Sequence, residues 1–185
     1  ALTTACGGSK LTEDGFSKRV APALTASTGP CPVAYDVAGA AKSAGIAGDV
    51  ALADTDPVSA ETDTSPDASL LMKQTGPAAD LECDYTVGDT DVTTYALVTG
   101  KANAAVTAVL PETAYLSDDD PQTLVTPIMA AETGTAVPSP SGKAAVVHLD
   151  VQDGDGALVV GVDPADGISP TQLSDFAEAL AGQLG

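Results

Sequence analysis

The chain has one histidine, His148, one arginine, Arg19, and no tryptophan. Each shortage removes a class of chemistry. With a single histidine, and no Cys-x-x-Cys pair among Cys6, Cys31 and Cys83, the usual zinc spacings are excluded. No Gly-x-Ser-x-Gly elbow is present to supply a serine nucleophile. Only seven lysines and arginines stand against 26 aspartates and glutamates, a formal net charge of −19. So few cations cannot form a basic patch, so nucleic acid is repelled rather than bound. Anionic lipid headgroups repel the body for the same reason. No stretch of 18 apolar residues occurs, so nothing in the sequence reads as a membrane span. Aromatics make up only 3%, which calls for a core of small, closely packed side chains. Such a core suits a thin layered fold better than an aromatic-centred barrel.

What is present is enough for one folded unit. The 185 residues are 44% hydrophobic, much of it alanine and valine. The acidity reads first as solubility. An acidic docking face for a basic partner, or attraction of divalent ions, is the alternative. The excess of aspartate over glutamate fits salt adaptation and a GC-rich genome alike.

The hydrophobic pattern predicts a first helix over Leu11 to Ala26, with Thr12 as N-cap and Phe16, Val20, Ala23 and Leu24 inward; Pro22 should kink it. A second helix is expected over Pro32–Ala44, closed by Gly45. Residues 47–67, rich in Asp, Thr, Ser and Pro, read as a loop. Leu81, Cys83, Tyr85 and Val87 alternate with polar neighbours, and Gly88-Asp89-Thr90 should turn this strand into a partner over Asp91–Thr99. Ala102–Leu110 reads as helix stopped near Pro111. Asp120-Pro121 should open another, with Leu124, Val125, Ile128 and Met129 inward and Gly134 at its end. Ala144–Val151 and Ala157–Val162 read as a hairpin. Ser169, Pro170 and Gln172 form a capping box for the last helix, whose apolar stripe is Leu173, Phe176, Ala177, Leu180 and Leu184. Hairpins rather than repeated βαβ units point to an α+β fold: a single antiparallel β-sheet packed against several α-helices.

Candidate chemistry is sparse. His148 alternates with Val147 and Leu149 and reads as a histidine on the other sheet surface. Arg19 could clamp a carboxylate, but reads as an exposed helix position. Asp150, Asp153 and Asp155 suggest a calcium loop, yet the spacing lacks further ligands and the Asp-Gly pairs suit a tight turn. Ser117-Asp118-Asp119-Asp120 reads as helix capping. No cofactor and no catalytic residue is expected, and the chain reads as a non-enzyme.

The cysteines divide into two plus one. Cys31, in G-P-C-P, and Cys83, in L-E-C-D-Y, suit a disulfide in an exported protein; two buried free thiols are the alternative. Cys6 follows small residues and precedes Gly7, Gly8 and Ser9. This resembles a bacterial lipobox, in which the cysteine takes a lipid and the glycines begin a tether; a buried or incidental cysteine is the alternative. Thr3 stands where that pattern has leucine. The expectation is that a signal segment before Ala1 has been removed. Residues 1–10 then form a lipobox remnant and tether, and 11–185 a single domain.

Taken with L-T-E-D-G-F-S-K-R-V, C-D-Y-T-V-G and S-P-T-Q-L-S-D-F-A-E-A-L, these motifs resemble the small secreted lipoproteins of actinobacteria. The resemblance implies helices against one antiparallel sheet and a lipid-anchored, extracytoplasmic location. It implies a binding or regulatory module acting on another envelope protein or, alternatively, a carrier of an apolar or lipid ligand in a cavity between sheet and helices. It carries over no catalytic residue.

Overall fold

A computed structural model of the chain describes residues 10–25, 29–53, 58–65, 69–163 and 167–185. Among these residues seven strands form one wholly antiparallel sheet: β1 (Val50–Leu52), β2 (Val58–Thr62), β3 (Ala78–Val87), β4 (Thr90–Thr99), β5 (Ala136–Pro138), β6 (Ala144–Leu149) and β7 (Asp155–Asp163). The spatial order is β1-β3-β4-β7-β6-β5, and β2 follows β1 along the same edge of β3. The expected α+β class is correct.

Helices cover the sheet from both sides. On the first face lie α1 (Glu13–Val20) with a 3-10 turn (Ala21–Leu24), α2 (Val37–Ser43) and α7 (Pro170–Ala181). Their Phe16, Val20, Val37, Leu173, Phe176 and Leu180 meet Leu81, Cys83, Val92, Leu158 and Val160 of the sheet. On the second face lie α3 (Leu70–Thr75), α4 (Ala105–Ala108), α5 (Leu110–Ser117) and α6 (Pro121–Ala130). Met72, Val106, Val109, Leu124 and Ile128 there close over Leu97, Val146 and Val159.

Burial along the strands follows from this covering. β7 is buried at every position from Asp155 to Val162, because helices lie on both its faces. Gly161 is part of the fit: a Cβ there would meet Leu116 of α5 at 3.0–3.2 Å. Along β3 the odd positions from Ala79 to Val87 are buried, while Asp80, Glu82, Asp84 and Thr86 stay half-exposed. The second helix layer stops short of them.

Several local expectations hold. Thr12 caps α1 by accepting from the Gly15 amide, and Ser169 with Gln172 forms the reciprocal capping box of α7. After α2, Gly45 adopts a φ of 73°, and the Gly45 and Ile46 amides bond back to Lys42 and Ala41. Val87 and Thr90 are register partners across a two-residue turn begun by Gly88 at φ 63°.

Others are corrected. Residues 47–67 are not all loop: β1 and β2 lie within them, because the free edge of β3 offers hydrogen-bond partners to polar as well as apolar residues. α2 starts at Val37, after Asp36, whose side chain caps Gly39. Pro111 does not stop a helix but sits in the first turn of α5, where a missing N–H costs nothing. Val125 and Met129 face solvent, since α6 lies outermost and buries only Leu124 and Ile128, and Leu24 faces solvent at the end of the 3-10 turn, which buries only Ala23. α6 ends at Ala130, and Gly134 instead donates from its amide to the His148 carbonyl. The strand expected to reach Val151 ends at Leu149; Val151 makes a lone parallel bridge to Leu11.

Candidate functional site

The disulfide is present: Cys31 and Cys83 are bonded, joining the segment before α2 to the middle of β3. Cys6 lies outside the described residues.

His148 faces away from Val147 and Leu149 as expected, but it is not a solvated surface residue. Its side chain is 27% exposed, and Nε2 meets Oδ1 of Asp155 at 2.6 Å. Asp155, expected in a turn, is the first residue of β7 and only 3% exposed. Its other oxygen accepts from the Ala105 amide at 2.8 Å, and the Gly156 amide donates to Oδ1 at 3.0 Å. Ala104, the N-cap of α4, has no side-chain oxygen to offer, so Asp155 supplies the cap from another strand. The pair is thus a staple joining β6, β7 and α4. Asp155→Asn should cost about 1–2 kcal/mol, because an amide nitrogen takes the place of one of the two oxygens that accept from His148, Gly156 and Ala105. Urea denaturation checks this; unchanged stability would refute the staple.

The remaining expected sites resolve locally. Asp153 takes a left-handed turn conformation at φ 59°, and Asp150 is exposed beside it. Asp120 caps α6 through the Gln122 amide, Asp119 accepts from Ser141, and Asp118 pairs with Lys143 at 2.7 Å. Among the described residues no group of three or more acids, histidines or cysteines is arranged to hold a metal ion. Arg19 is an exposed residue in the last turn of α1.

The one concentrated site is on the uncovered part of the second face. Asp80, Glu82 and Asp84 point the same way along β3, at every second residue and so roughly 7 Å apart. Tyr95 and Thr93 stand opposite Glu82 and Asp84 on β4, and Ser59 and Glu61 stand opposite Glu82 and Asp80 on β2. Tyr95 donates its hydroxyl to Asp80 at 2.9 Å, Thr93 donates to Asp84 at 2.6 Å, and the Glu61 amide donates to Asp80 at 2.8 Å. Glu112 approaches from α5.

The four carboxylates are held above their ordinary range. Burial pushes Asp80 up to about 6, the Tyr95 hydrogen bond opposing it and the charge of Glu61 adding to it. Burial, then the charges of Asp84, Glu112 and Asp80, push Glu82 up to about 7. Asp84 and Glu112 are also raised, mainly by burial. Among the described residues no lysine or arginine pairs with any of them. The group therefore presents uncompensated negative charge on a partly dry surface, where a cation is worth more than in open water. It can bind cationic groups and take up protons.

These residues escaped the sequence reading, although D-x-E-x-D at strand period was there to find in A-D-L-E-C-D-Y. Comparison with known proteins finds no matching family model, no matching curated protein and no matching solved structure.

Proposed function

We propose that the chain is a non-enzymatic binding or regulatory module working outside the membrane, tethered through Cys6 and docked on another envelope protein. The docking surface is the carboxylate face of β3, and its occupant is a segment of the partner bearing lysine or arginine. The observation that carries this reading is the half-exposed part of the second face: acids from β3 and α5 with no lysine or arginine paired to them among the described residues. A disulfide suits an oxidising compartment and supports the location. Phe16, Leu81, Leu97, Leu158 and Phe176 are buried in the core between sheet and helices.

Titration with a pentalysine peptide at pH 8 and low salt tests the face. Combined Asp80→Asn, Glu82→Gln and Asp84→Asn should weaken binding about tenfold. Combined Asp150→Asn, Asp153→Asn and Asp175→Asn removes the same charge elsewhere and should change it by less than about twofold. Equal losses would mean that only net charge acts, and the docking face would be abandoned. Binding should also fall from pH 8 to 5.5, as Glu82 and Asp80 gain protons. For the tether, labelled palmitate should enter the full-length precursor in a bacterial host and fail to enter Cys6→Ala. Equal labelling of both would remove the anchor.

A further inference from the structure

Arg19 is the only arginine in a chain with 26 acids, yet among the described residues no carboxylate lies within ion-pair distance of it. Among the described residues its one hydrogen bond runs from Nη1 to the Leu184 carbonyl at 3.5 Å, the long limit of such contacts. Arg19 lines a cleft of about 310 Å³. That volume is at the lower end of ligand sites, which span roughly 300–1,000 Å³. The other walls are Pro22 and Ala23 of the 3-10 turn, Pro30 and Pro32 on either side of Cys31, and Val58 of β2. Proline rings have no rotamers to lose on contact, so these walls bind an apolar body at little entropic cost. The Tyr35 hydroxyl, which feels the charge of Arg19 but does not line the cleft, is buried and has no hydrogen-bond partner among the described residues. The polar groups of this corner are under-used.

We propose that this cleft binds a small carboxylate with an apolar body, the planar fork of Arg19 taking the carboxylate and the prolines and Val58 taking the body. Among the described residues Arg19 is the cleft's only charged lining residue, so the preference for an acid over a neutral molecule of equal shape rests on it. Val58 belongs to the first-face core, so the cleft is separate from the carboxylate face and does not depend on it.

Octanoate and 1-octanol are the probes, titrated into the intact protein and followed by amide and arginine side-chain NMR. Octanoate should saturate below about 10 mM, shift the Arg19 side-chain resonance and the amides of Ala23, Cys31 and Val58, and bind about tenfold more tightly than octanol. Arg19→Gln should remove the preference, and Arg19→Lys, which keeps the charge without the fork, should retain part of it. Equal affinities for the two probes, shifts centred elsewhere, or no saturation would each overturn the proposal. The Arg19 resonance in the unaltered protein decides the matter even if a variant fails to fold.

Discussion

Replacing Cys31 and Cys83 together with alanine should lower stability by about 4 kcal/mol, the loop-closure value for a sequence separation of 52. For a chain of this length that is a fall in melting temperature of about 10 °C. The bond has this leverage because of what it joins. Cys83 is fully buried at the centre of β3, paired with Val58 on one side and Thr94 on the other. Cys31 sits in the irregular segment that leads into α2. Without the bond, that segment keeps only its own contacts with the sheet, while the unfolded chain gains all the freedom of the opened loop. Thermal and urea unfolding of the double variant measure the loss. A change under about 1 kcal/mol would mean that the first face holds itself together without the bridge.

The protein should become more stable as pH falls from 8 to 5, by about 2–3 kcal/mol, through the carboxylate face. Asp80 and Glu82 have folded values of about 6 and 7, above their ordinary 3.8 and 4.5. A group raised on folding holds its proton more tightly in the folded state. Its stabilising effect is complete below the ordinary value and is lost as pH rises through the raised one. The window is therefore roughly pH 4 to 7, opposite to the behaviour of a carboxylate held by a salt bridge. Asp80 contributes about 1 kcal/mol over this range, since part of its effect lies below pH 5, and the half-exposed Glu82 about 1–2 after allowance for solvent screening. Because the two interact, the sum is an upper value. Glu82→Gln should raise stability at pH 8 and flatten the profile, which urea midpoints at pH 5 and 8 would detect. An unchanged profile would mean that the benefit of acid comes from the net charge of the whole surface.

The parts of the fold written in short-range chemistry were legible from the residues. Ser169, Pro170 and Gln172 mark the start of α7 because capping is a matter of neighbours three residues apart. Gly88 marks the β3–β4 turn because a positive φ is cheap only without a Cβ. The alternation of Leu81, Cys83, Tyr85 and Val87 declared a strand with one buried side, and the odd cysteine count suggested a bridge. β1 and β2 were not legible, since their polar residues become strand only when the edge of β3 is there to pair with them. Val125 and Met129 were misplaced for a related reason. Periodicity reports that a helix has an apolar stripe, not how wide a stripe its neighbours will cover.

The candidate site divides along the same line. That the chain is acidic, nearly without arginine and without a zinc or serine-hydrolase motif was settled by composition and spacing. Which acids share a surface was decided by the tertiary structure. The spatial order β3-β4-β7-β6 puts the second helix layer over β6 and β7 and leaves Asp80, Glu82 and Asp84 only half-buried. The chain reversal between Leu149 and Asp155 brings His148 to a buried carboxylate. Local sequence determines the elements and their amphipathic faces, because those depend on bonds and contacts a few residues apart. Which face meets a neighbour, water or another charge depends on where distant segments pack, and that is an outcome only of the whole fold.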